Sequence, residues 1–120
     1  MFIRDLKDCP EFTAGDATRL RELFNPLKDP LRLGYSLAHA RVAPGKTTIL
    51  HRLKTSEVYY IIEGEGEMYI DGEVEMVYPG DAVYIPPGTS QRITNTGSAE
   101  LVFVCMVDPA WKVEDEEIIR

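Results

Sequence analysis

The stretch HRLKTSEVYYIIEGEG, residues 51–66, holds two side chains able to bind a metal ion or move a proton. His51 offers an imidazole, Glu57 lies six residues further on, and the only other histidine in the chain is His39. An imidazole and a carboxylate in one place suit divalent-metal coordination, general acid–base work or a buried ion pair. Which of these applies depends on whether the fold brings them together. Other chemistries lack their signatures, since the sequence contains no Walker-type loop, CxxC pair or zinc-finger spacing. The GEGE segment at 64–67 reads as a turn between strands, because no helix follows it to bind phosphate.

The elements that must position these residues are short apolar runs broken by Gly and Pro. LGYSLAHARV (33–42), TTILHRL (47–53), EVYYIIE (57–63), EMYI (67–70), EVEMVY (73–78), AVYI (82–85), SQRITN (90–95) and ELVFVCMV (100–107) all read as strands. Asp71-Gly72, between two of these runs, is the strongest hairpin signal, since a type I′ turn needs positive φ at both central residues. Turn signals recur every 6 to 12 residues with almost no helical periodicity, which predicts an all-β antiparallel sandwich or barrel with few or no helices. DATRLRELFNP (16–26) fits either a short helix or a strand, and DPAWKVEDEEII is expected to form one helical turn after Pro109.

The 120 residues suit a single domain, and 44% hydrophobic residues suit a soluble chain with one core. A net charge of −7, from 13 basic and 20 acidic residues, argues against nucleic acid and anionic membranes as partners. No run reaches the roughly 18 apolar residues of a membrane span, and the charged N-terminus lacks a signal-peptide pattern, so a cytoplasmic location is expected. Cys9 and Cys105 are expected to stay unpaired, with Cys105 a small core residue. The acidic run Glu114–Glu117 reads as a solvated face.

The glycines and prolines carry a more specific signal. Gly45, His51, Glu57 and Gly64, followed by Gly80, Pro86, Gly88 and Asn95, match eight of the ten marked positions of G-x5-H-x-H-x3-E-x6-G and G-x5-P-x-G-x2-H-x3-N. These are the two motifs of the cupin family, and the chain resembles a small single-domain cupin over residues 1–120, with core motifs at 45–64 and 80–95. The resemblance implies a double-stranded β-helix, or jelly-roll, barrel. In metal-binding members the marked histidines and glutamate hold one divalent ion. Carried over, those positions are His51, Leu53, Glu57 and Gln91. Leu53 cannot ligate, and Gln91 offers only a neutral amide oxygen.

His39 could replace the missing imidazole if the turn at Pro44-Gly45 paired its two flanking strands. In a register centred on Gly45, His39 would stand opposite His51 and on the same face. A set of His39, His51, Glu57 and Gln91 would then suit Fe, Mn, Ni or Zn. Two functional readings follow. One is a metal-dependent protein for a small-molecule ligand, acting as an isomerase- or oxygenase-type enzyme if catalytic. The other is a metal-free cupin that binds or senses a sugar or other small organic ligand. Tyr59 should face the site, and Arg41 would join it on the face of His39. A homodimer, formed through sheet edges or an exchanged N-terminal strand, is expected because small jelly rolls leave edges to cover.

Overall fold

A computed structural model describes all 120 residues. Eleven strands form two antiparallel sheets. The larger sheet contains β1 (Phe12–Thr13), β2 (Arg19–Phe24), β3 (Ser36–Val42), β5 (Ser56–Glu63), β8 (Ala82–Ile85) and β10 (Leu101–Asp108), in the order β1-β2-β3-β10-β5-β8. The smaller contains β4 (His51–Leu53), β6 (Gly66–Ile70), β7 (Glu73–Val77), β9 (Ser90–Asn95) and β11 (Glu116–Ile118), in the order β11-β4-β9-β6-β7. The only helical pieces are 3-10 turns at Leu6–Asp8 and Val113–Asp115. No helix is long and apolar enough to cross a membrane. The arrangement is the jelly roll that the motifs imply.

Strict alternation builds the barrel. β3 and β10 bury every second residue, so one face of each looks inward and the other outward. Phe103, Ile61, Ile85, Ile93 and Leu101 are almost fully buried between the sheets, and each such side chain stabilises the fold by roughly 1.5–3 kcal/mol. Asp71 and Gly72 have φ of 46° and 89°, the positive pair that a type I′ hairpin requires. At Gly64, with φ of 80°, a Cβ would lie 2.5 Å from the Glu100 carbonyl oxygen, so both conformation and space require glycine there. Asn95 is equally structural: its amide donates to the carbonyls of Val42 and Ala99 and accepts from the Gly97 N–H.

The segment around Gly45 corrects one expectation. It is a corner at which the chain changes sheets, and not a hairpin. β3 pairs with β2 and β10, whereas β4 pairs with β9 and β11. His39 therefore stands opposite Val104 and Arg21, on the outer face of the larger sheet. The inward positions flanking it belong to Ala38 and Ala40. Arg41 shares the outer face and is paired with Glu11 and Glu100. The ambiguous segment at 16–26 contains strand β2. The tail forms its expected turn and then a strand, β11, that the sequence pattern did not reveal.

Candidate functional site

Small inward residues on the larger sheet leave space at one end of the barrel. Ser36, Ala38 and Ala40 on β3 and Cys105 on β10 face a cavity of about 160 Å³. Aromatic wall is supplied by Phe12, Tyr59, Phe103 and Trp111. Its polar lining comes mainly from four acids, Asp16, Glu22, Glu57 and Glu116, and one imidazole, His51. No lysine or arginine lines it.

His51, Glu57 and Gln91 do come together, as the motif spacing implies. His51 and Gln91 are directly paired across β4 and β9, and Glu57 enters from β5 in the facing sheet. All three are buried, at 3%, 6% and 0% exposure. Gln91, however, spends both ends of its amide on neighbours. Its Oε1 accepts from the Tyr59 hydroxyl at 3.1 Å, and its Nε2 donates to Glu57 Oε1 at 3.0 Å. The chain Tyr59–Gln91–Glu57 locks the carboxyl plane and leaves Glu57 Oε2 as the oxygen without a partner. Burial raises the Glu57 pKa to about 8 against the opposing hydrogen bond from Gln91, with Asp16 and Glu116 adding like-charge repulsion. Burial likewise raises Tyr59 well above its usual range, so its hydroxyl stays a donor.

The imidazole of His51 is oriented by the backbone. Nδ1 lies 2.8 Å from the Ile49 carbonyl oxygen, which can only accept, so Nδ1 carries a proton. Nε2 faces Asp16 Oδ2 at 3.5 Å. Asp16 is itself fixed by the Thr18 N–H, which donates to Oδ1 at 3.0 Å. Glu116 enters from β11, which places it opposite Leu53, the position where the motif expects a second imidazole. The Trp111 indole N–H donates to Glu116 Oε2 at 3.1 Å. Burial raises the Glu116 pKa, reinforced by Asp16.

Asp16, Glu116 and Trp111 are site residues that sequence reasoning missed. Asp16 had a weak signal in Asp-Ala-Thr, an Asx-type turn. Glu116 lies in an acidic run, where one carboxylate looks like the next.

The metal implied by the motifs can be tested against these donors. Leu53 is apolar and buried, Gln91 is committed to Glu57 and Tyr59, and His39 lies outside the cavity. No three His, Cys, Asp or Glu side chains converge closely enough to hold an ion. The donor set does not fit the metal centre of the motif.

Comparison with known proteins agrees with the architecture. The family model described as "Cupin domain" matches residues 38–107. A curated relative, the uncharacterized protein MJ1618 of Methanocaldococcus jannaschii, is 42% identical over 110 residues, covering 91% of this chain and 87% of its own. Among solved structures, a Cupin 2 conserved barrel domain protein from Salinispora arenicola superposes with a TM-score of 0.78 at 22% identity, covering 95% of this chain and 91% of its own. A predicted oxalate decarboxylase from Thermotoga maritima gives 0.75 at 22% identity, covering 90% and 99%. At these identities the two structures speak for the fold alone.

Proposed function

The chain belongs to the cupin superfamily, and on that footing we propose that its cavity binds a small organic molecule without a metal ion. The observation that carries this reading is the hydrogen-bond chain Tyr59–Gln91–Glu57. It occupies the side chain that would have to ligate, and it presents one oxygen of Glu57 to the cavity. His51 and Asp16 supply a second polar face, and Phe103 with the Tyr59 ring, 4.4 Å apart, supplies an apolar one. A proton-carrying Glu57 and the His51 imidazole, lining one cavity, are groups that can also serve acid–base chemistry on the bound molecule.

Trp111 is the only tryptophan and lines the cavity, so it reports occupancy. In chelator-treated protein, its emission should shift on titration with members of a panel of small amines, polyols and carboxylates. The response should be unchanged by added divalent metal. A response seen only after a metal is added would overturn the reading.

Self-association is proposed through the outer face of the larger sheet. Leu37, Met106, Val58 and Tyr84 lie in one cross-strand row there, next to Val104 and Tyr60. Tyr60 and Tyr84 are 45% and 62% exposed, a large apolar surface for a free monomer. Light scattering should give a dimer mass for the wild type and a monomer mass for the double variant Y60E/Y84E. A wild-type monomer would contradict the proposal.

A further inference from the structure

We infer that the ligand of this cavity is a small protonated amine, a single positive charge on a short aliphatic body. This rests on the metal-independent reading of the cavity, and it adds a ligand class that the fold alone does not specify.

The inference comes from what the cavity wall leaves unsatisfied. Glu22 is neutralised from outside, since Lys28 Nζ and the Asn25 amide hold its two oxygens at 2.9 and 3.0 Å. Glu57 and Glu116 each have one oxygen tied down and one left over, while Asp16 holds the Thr18 N–H on Oδ1 and faces His51 Nε2 with Oδ2. Glu57 is the most telling of them, because it is 6% exposed and nothing in the protein donates to its Oε2. His51 Nε2 lies 3.5 Å from Asp16 Oδ2, while its Nδ1 is held by the Ile49 carbonyl. The free oxygens of Glu57 and Glu116 thus face one space, and a molecule bringing several N–H donors and a positive charge satisfies them once Glu57 gives up its proton.

Charge then decides among ligand types. An anionic ligand would meet three further carboxyl groups with no lysine or arginine to compensate. A neutral alcohol supplies one donor and no charge. A metal ion needs at least three donors converging on a point, and no three His, Cys, Asp or Glu side chains here do so. An ammonium group on a short chain lets the carboxylates meet the charge, while Trp111, Phe103 and Tyr59 receive the alkyl part and add cation–π attraction. Burial, with like-charge repulsion from Asp16 and Glu116 adding to it, keeps a proton on Glu57 in the empty cavity, and a bound cation supplies the compensation that lets the proton leave. Titratable groups on the remaining walls, Tyr59 and Cys105, are neutral and held so by burial.

An isosteric series provides the test: propylammonium, 1-propanol and propionate, each titrated calorimetrically into chelator-treated, tag-free protein with Trp111 emission followed in parallel. Propylammonium should bind at least about tenfold tighter than propanol, a difference one charge-assisted contact can supply, and propionate should give no heat. The Glu57→Gln variant should lose at least about tenfold in propylammonium affinity. Propanol or propionate binding as tightly as propylammonium would overturn the ligand class and leave the metal-free site standing. If none of the three binds and Trp111 responds to Zn(II) or Mn(II) alone, both the class and the metal-free reading fall.

Discussion

The Glu57→Gln variant should be more stable than the wild type at pH 8, by on the order of 3–4 kcal/mol. The folded protein releases the Glu57 proton at about pH 8, against a reference of 4.5. Between those values the folded state holds more protons than the unfolded chain, so raising the pH favours unfolding. The contribution is intact below about pH 4.5 and is lost as pH climbs through 8. Glutamine keeps the shape, accepts from Gln91 through its own amide oxygen, and has no proton to lose. Urea unfolding at pH 4.5 and 8 should show the two proteins converging at the lower pH and separating at the higher. Glu11, whose pKa Arg41 holds down at about 2, contributes the opposite slope below pH 4.5, but equally in both proteins. The same variant should lose affinity for the ligand, so stability and binding would move in opposite directions. A variant less stable than the wild type at pH 8 would instead identify Glu57 as a carboxylate that is ionised in the folded protein and stabilises it in that form.

The double variant L53H/Q91H should convert the cavity into a metal site holding about one divalent transition-metal ion per chain. Leu53 follows His51 by two residues on the inward face of β4 and lines the cavity, so an imidazole there would project beside that of His51. Replacing Gln91 removes the link between Tyr59 and Glu57, frees Glu57 Oε1, and adds an imidazole directly across the strand pair from His51. Each single variant should bind more weakly, because each lacks one ligand of the set. Co(II) absorption of the tag-free proteins would follow the gain directly. A folded double variant that binds no metal would show that more than two side chains separate this cavity from a metal centre.

The scaffold was legible in the sequence because its determinants are local. Gly64 and the Asp71-Gly72 turn adopt the positive φ values that their residue types favour, and alternation along β3 and β10 is readable one strand at a time. Three members of the site were legible for the same reason, since motif spacing fixes His51, Glu57 and Gln91 at set places on paired or facing strands. His39 failed because its placement required knowing which strands pair. Nothing local distinguishes a hairpin at Gly45 from a corner between sheets, and the corner sends His39 to the outer face. Asp16 and Glu116 reach the cavity on segments distant in sequence, through a loop and a three-residue edge strand. Their arrival depends on tertiary packing, and no periodicity in a short acidic tail records it.

The central question is whether this cavity holds an organic ligand against a hydrogen-bonded carboxyl in place of a metal ion. Elemental analysis of wild-type protein, expressed without a histidine tag in metal-supplemented medium and dialysed without chelator, addresses that most directly. The expected result is far less than one equivalent of any transition metal per chain, unchanged in Glu57→Gln. About one equivalent in the wild type, lost in Glu57→Gln or His51→Ala, would contradict the account.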